Sequence, residues 1–348
     1  MTSPRAAEAL SMRSRVLWVA VTAILALSAG LTVLASAHRW PFGEADSTEP
    51  LRLALSSTPH AALLHIAAAK GFFKDEGLTV TVVPVSHGKA ALDLLDRGQV
   101  DVAAAAEVPF VIAVLQGRPF GVAASMLSVS TEMAVVARRD RGINAPADLV
   151  GKKIGVTMGT SGEYFLWAFL IRYKLPPEGI QLVDLPPGRL ADELSRGTID
   201  AASTWQPVRL GAETSLGAKA VSFTAPAAYT VTHVVIGRND YWQAHGGTAR
   251  KLVRALLKAE QFNRSEPEQA LAIVAQRLNL DATALRHSWE DLGFRVNLLQ
   301  SQLVTLEDEA RWAMERGQVR AGPVPNFLSH LYLDALLKEQ PDRVTVVH

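Results

Sequence analysis

The residues best suited to chemistry lie at Gly159-Thr160-Ser161-Gly162-Glu163, between a strand-like run and a strongly apolar one. A helix starting there leaves about four backbone N–H groups unpaired and carries roughly +0.5 charge. Glycines let a ligand approach those groups, and hydroxyls add donors, so the stretch suits an anion. The same residues also fit a capping box, in which Thr160 and Glu163 satisfy the N–H groups themselves. The stretch alone leaves both readings open. Ser56-Ser57-Thr58-Pro59-His60 has the same character. Pro59 suits a first helical position and Thr58 its cap, which leaves Ser56 or Ser57 freer to face a ligand. Further candidates are Glu107, Thr131, Trp205, Tyr229 and His233, each equally able to serve as a core or solvated residue.

Other chemistries are excluded. The sequence has no cysteine, hence no disulfide, thiolate nucleophile or Cys-ligated zinc. The Gly151-Lys152-Lys153 run lacks the upstream glycine and following Ser/Thr of a phosphate-binding loop. There is no Gly-x-Ser-x-Gly elbow and no His-Glu-x-x-His pair. No catalytic residue, metal ligand or cofactor is assigned.

The elements that must position these residues come in two sets. "RGQVDVAAAAEVP" at Arg97 and "RGTIDAASTWQP" at Arg196 share Arg-Gly-x-aliphatic-Asp-x-Ala, about 100 residues apart, too far for a solenoid repeat. "DEGLTV" pairs with "PEGIQL", "GKAALDLLDRG" with "GRLADELSRG", and "AVVARRD" with "VVIGRND", in the same order. Each unit reads as a strand (51–55, 153–156), a turn, a helix (60–73, 163–173), a second strand (79–85, 180–185), an amphipathic helix ending at Gly98 or Gly197, and a third strand (100–104, 199–203). Alternating strands and helices predict parallel βαβ units, with ligands beyond the carboxyl ends of the strands. From Thr248 onward the pattern is mostly helical, and "MAVVARRD" and "HVVIGRND" are the expected crossovers between the two lobes.

The chain has 348 residues, with 35 basic and 34 acidic, so it offers no basic stripe for nucleic acid. Arg5, Arg13 and Arg15 precede an uncharged apolar run of about 20 residues, long enough to span a bilayer. Ala35-Ser36-Ala37 fits a cleavage site. Residues 1–37 are therefore a cleaved export signal or a retained N-terminal apolar helix, and 38–50 a linker. Either reading puts the rest in the periplasm or on the outer face of the cytoplasmic membrane.

The stretches "AAAKGFFKDEGLTV", "INAPADLVGKKIGVTMGTSGEYFL", "STWQP" and "FLSHLYLDALLKEQPDRVTVV" carry a family resemblance covering about 51–347. The chain resembles the solute-binding proteins of ABC importers for nitrate, sulfonate and taurine, with the thiamine pyrimidine-precursor proteins as relatives. The resemblance implies an α/β, two-lobed type II periplasmic-binding-protein fold with a ligand cleft between lobes. Lobe 1 is expected at 51–135 and 238–348, and lobe 2 at 136–237. The implied protein is a monomeric receptor for a small anion or zwitterion that hands it to an ABC permease and its ATPase. The resemblance also places the turn with Thr160 and Ser161 at the cleft and Trp205 as an aromatic wall there; by the repeat, Ser56, Ser57, Thr58 and His60 are the turn's first-lobe counterpart. A ligand-facing Glu107 or Glu163 would instead meet an amine, as in taurine. The alternatives are a synthase of the thiamine-pyrimidine type, whose cysteine-rich motif is missing here, and a membrane-anchored solute sensor.

Overall fold

A computed structural model describes residues 48–347 apart from Ala227. The N-terminal apolar segment, with its reading as leader or anchor, lies outside the described residues. Among those described, no helix is long and apolar enough to cross a membrane.

Strand β1 (Glu49–Ser56) lies between β2 (Leu78–Val85) and β3 (Val102–Ala106), parallel to both. Leu53, Ala54 and Leu55 are buried in succession, as expected of an inner parallel strand covered on both faces. Helix α1 (Ala62–Lys70) follows β1 and stops at Gly71 in the left-handed conformation. Helices α2 (Gly88–Asp96) and α3 (Glu107–Leu115) follow β2 and β3. Strands β4 (Phe120–Val129) and β5 (Ala134–Arg138) close the first half.

The second half repeats the order with β6 (Lys153–Val156), α4 (Ser161–Arg172), β7 (Gln181–Asp184), α5 (Pro187–Arg196) and β8 (Ala201–Thr204). Helix α5 ends at Gly197 with φ 77°, as the amphipathic pattern requires. Helix α6 (Val208–Leu216), β9 (Ala220–Phe223) and β10 (Val231–Arg238) follow.

Two sheets result, ordered β2-β1-β3-β10-β4-β11 and β7-β6-β8-β5-β9. The closing strand of each repeat joins the other repeat's sheet: β5 runs antiparallel to β8, and β10 antiparallel to β3. The expected lobe boundaries at 135/136 and 237/238 fall inside these two strands. By sheet membership the chain passes between sheets at 130–133 and 224–230, before each strand rather than along it.

The carboxy-terminal part supplies α7 (Gly246–Ser265), α8 (Pro267–Leu278), α9 (Ala282–Trp289) and α10 (Gln300–Glu315). Helix α7 buries Leu252, Val253 and Leu256 and packs on α1. Between α9 and α10, β11 (Gly293–Asn297) pairs with β4, and the Ser125 hydroxyl donates to the Asn297 carbonyl at 2.7 Å. This strand interrupts the mostly helical carboxy-terminal part. It is too short for its alternation to stand out from the helical pattern around it. The main core runs from the first sheet to Phe165 and Phe169 of α4, and a smaller cluster around Leu190, Leu194 and Ile199 covers the other face of the second sheet.

Candidate functional site

The residues following β1, β2, β3, β6 and β8 converge on a small cavity of about 40 Å³, whose wall includes Ser56, Lys89, Ala106, Ser161 and Trp205. That is room for about three waters at ~10–15 Å³ each, the size of one small polar group.

The wall from the second sheet is the start of α4. Gly159 takes φ 73°, a left-handed turn that suits glycine. Thr160 is the N-cap: its Oγ1 donates to the Thr157 carbonyl at 2.6 Å and accepts from the Gly162 N–H at 3.3 Å. The Glu163 carboxylate accepts from the Gly159 N–H at 2.7 Å and from Gln318 Nε2 at 2.6 Å. Burial pushes its pKa up while the Gly159 N–H pulls it back. The capping reading is thus realised in part, and Glu163 is committed to it. The N–H groups of Thr160 and Ser161 find no acceptor among the described residues. Ser161 Oγ is buried and has no hydrogen-bond partner. The Tyr229 hydroxyl, close enough to feel Ser161, donates to Glu107 instead. The ring of Trp205 stands over this turn: a β-carbon on Gly162 would lie 3.1 Å from it. Gly162 is therefore what allows the indole to approach the helix terminus.

The wall from the first sheet is a hydrogen-bonded chain. Ser56 Oγ and Thr58 Oγ1 are 3.0 Å apart, Thr58 Oγ1 and His60 Nδ1 are 3.2 Å apart, and His60 Nε2 pairs closely with Glu132. Thr58 makes no side-chain cap, so its hydroxyl serves this chain and not the helix start. The His233 ring on β10 stacks on His60, with centroids 4.4 Å apart and planes within 6°. Burial and the neighbouring His60 hold the His233 pKa well below the usual imidazole range, so this ring is neutral.

Lys89 completes the site. Its ammonium donates to the Met158 carbonyl at 2.9 Å, spanning from α2 to the turn after β6. Gly88 lets α2 begin hard against β3, since a β-carbon there would meet Ala105 at 2.8 Å. The sequence reading missed Lys89 and its neighbour His87. The signal was available in the repeat, because β2 also ends at this rim and "GKAALDLLDRG" follows it directly.

Five expected residues lie outside the wall of this cavity, Glu163 among them, since its carboxylate is turned to the Gly159 N–H and Gln318. Ser57 is exposed and outside the cavity wall. Thr131 is exposed, donates to Asp291 at 3.0 Å, and lines a larger adjoining cavity of about 460 Å³. Glu107 and Tyr229 turn inward. The Tyr229 hydroxyl and Thr232 N–H donate to the Glu107 carboxylate at 2.7 and 2.9 Å, beside the buried Glu309 of α10. Burial raises the Glu107 pKa to about 7, and burial together with the Glu107 charge raises Glu309 well above the carboxylate range. The pair therefore holds a proton at neutral pH. Neither Glu107 nor Glu163 is free to meet an amine.

His60, Glu132 and His233 place three potential metal-ligating atoms within 4.8 Å of one another. An ion binds in the plane of an imidazole, along the nitrogen lone pair. Parallel stacked rings cannot both meet one ion that way. As folded, this is a stacked pair held by a carboxylate.

The NMT1/THI5 like family matches residues 58–270, more than half of the chain. The chain belongs to that family. Among curated proteins, a putative binding protein of Brucella abortus is 27% identical over 233 residues, 63% of this chain and 68% of its own. The taurine-binding periplasmic protein of Escherichia coli is 24% identical over 202 residues, 57% of this chain and 61% of its own. Of solved structures, the alkanesulfonate-binding protein of Xanthomonas axonopodis pv. citri bound to MOPS superposes with TM-score 0.70 at 18% identity, covering 82% of this chain and 98% of that one. The periplasmic nitrate-binding protein of Synechocystis does so with TM-score 0.62 at 16% identity, covering 84% and 88%. The family member described here has the α/β fold of the periplasmic binding proteins. These relatives are binding proteins, not enzymes.

Proposed function

We propose that the protein is the extracytoplasmic receptor of an ABC importer for a small anion of the aliphatic sulfonate or nitrate class. The observation that carries this reading is the start of α4. There the Thr160 and Ser161 N–H groups and Ser161 Oγ are unspent, and Lys89 lies within reach. A buried donor without a partner costs free energy, and an anion seated on it recovers that cost. The two sheets with their helices act as lobes that close on the solute, with the crossovers at 130–133 and 224–230 as hinges. The closed form docks on a permease driven by an ATPase, and residues 1–37 export or tether the chain. A fully anionic ligand fits better than a zwitterion, because Glu107 and Glu163 are both spent inside the protein.

The test is thermal unfolding of the full-length protein in phosphate- and sulfate-free buffer with methanesulfonate, ethanesulfonate, taurine, nitrate and bicarbonate. A saturable rise for one anion class is expected, needing roughly two- to tenfold more ligand in Ser161→Ala, since a ligand of the native state stabilises by RT ln(1 + [L]/Kd). No rise for any of them overturns the proposal.

A further inference from the structure

Behind the α4 start lie two buried carboxyl groups that the anion site does not use. Glu107 of α3 is 2% exposed and Glu309 of α10 is 0% exposed. Among the described residues no basic side chain pairs with either. Glu107 accepts from the Tyr229 hydroxyl and the Thr232 N–H, and no N–H or hydroxyl is bonded to either Glu309 oxygen. Two neighbouring carboxylates cannot both stay ionised away from water without a cation, so the pair shares a proton.

The titratable groups facing the pair are Tyr229 from the crossover, Tyr164 from α4 and Asp308 from α10. Burial pushes both tyrosines upward, so they stay neutral, and Asp308 is paired with Arg311. Glu163 of α4 turns to Gln318 instead. Of the other elements packed on α3, β10 carries the neutral His233 and α2 carries Lys89, while His330 after α10 stands edge-on to Phe110.

Tyr229 connects the pair to the solute site. Its hydroxyl donates to Glu107 at 2.7 Å and lies beside the Ser161 hydroxyl, which is 6% exposed and has no partner. With Glu107 ionised, the Tyr229 hydrogen is held on the carboxylate. With Glu107 protonated, its O–H donates to the Tyr229 oxygen and frees the Tyr229 hydrogen for Ser161 Oγ. The Ser161 hydroxyl then donates to the anion. Each group turns and keeps its own hydrogen, and successive hydrogen bonds strengthen one another. Charge acts in the same direction, since a second negative charge on the pair repels an anion at the α4 start.

We infer that the Glu107–Glu309 pair is a proton site coupled to the solute site, and that it takes up a proton as the anion binds. This rests on the anion-receptor reading and adds a second ligand to it, the proton. By reciprocity, solute affinity falls as the pair loses its proton. Burial raises the Glu107 pKa to about 7 and Glu309 well above the carboxylate range, so the fall begins near pH 7 and continues above it.

Titration calorimetry of the full-length protein with methanesulfonate and with nitrate tests this, because neither anion carries a titratable proton. In buffers of different ionisation enthalpy near pH 7.5, binding is expected to take up a fraction of one proton. Between about pH 6.5 and 8.5 the Kd should rise roughly three- to tenfold, inside the limit of about tenfold per pH unit for one proton. Glu309→Gln leaves one carboxyl and should reduce the uptake. The double variant Glu107→Gln with Glu309→Gln leaves none, and should bind with no uptake and a flat Kd. Binding without proton uptake in the unaltered protein overturns the inference and leaves the anion-receptor reading standing. Uptake that persists in the double variant also overturns it, because another group then carries the proton. Failure of both anions to bind at pH 6.5 removes both proposals.

Discussion

The Lys89 ammonium and the Met158 carbonyl, 2.9 Å apart, join the two sheets across the mouth of the small cavity. Lys89 comes from the helix after β2, and Met158 from the turn after β6. This hydrogen bond links the two walls and places a cation beside the α4 start.

Lys89→Met removes both effects. Charge-assisted hydrogen bonds contribute about 1.5–3 kcal/mol, so anion affinity is expected to fall by roughly 10- to 100-fold. Lys89 is exposed, so the unfolding midpoint of the unliganded protein should change little. Calorimetric titration with the best sulfonate checks this, and unchanged affinity would remove Lys89 from the site.

Ser161→Ala separates binding from stability. The hydroxyl is buried without a partner, so removing it should leave the unliganded protein as stable as before or slightly more so. Anion affinity should drop about two- to tenfold, the worth of one hydrogen bond. A loss of stability matching the loss of affinity would show that Ser161 acts only as a structural residue.

Gly162→Ala puts a methyl group 3.1 Å from the Trp205 ring and 3.3 Å from the Ser203 carbonyl. The Gly162 carbonyl accepts from the Ser203 hydroxyl at 2.7 Å, which resists a shift of the backbone. The indole, at 3.1 Å the nearer of the two, is expected to give first. The expected result is a shifted tryptophan emission together with weaker anion binding. Unaltered emission and affinity would mean that Trp205 does not wall the site.

The buried pair Glu107 and Glu309 predicts a pH dependence of stability. Both pKa values are raised in the folded protein, Glu107 to about 7. The folded state then binds more protons than the unfolded chain above the ordinary carboxylate range. Stability should be fullest near pH 4–5 as far as this pair is concerned, and should decline as pH rises through about 7. Glu309→Gln removes one of the two charges, and melting curves between pH 5 and 9 should show a shallower decline. An unchanged slope would mean that the pair does not titrate in that window.

Local pattern in the sequence determined much of this protein. The duplicated Arg-Gly-x-aliphatic-Asp-x-Ala motif, the left-handed stop at Gly197 and the apolar runs at β1 and β6 set the strand and helix order of both halves, because each depends on neighbours a few residues away. The anion-suited turn at 159–163 was legible for the same reason. Tertiary structure decided which side chains are spent. Glu107 looks free after β3, yet it is consumed by Tyr229 and Thr232 arriving on the return crossover. Glu163 is held by Gln318 from beyond α10, and Lys89 reaches the site only because β2 and β6 end on one rim. Whether a polar group remains available to a ligand depends on which partners reach it first. Those partners lie on segments remote in sequence, so only the folded chain could decide it.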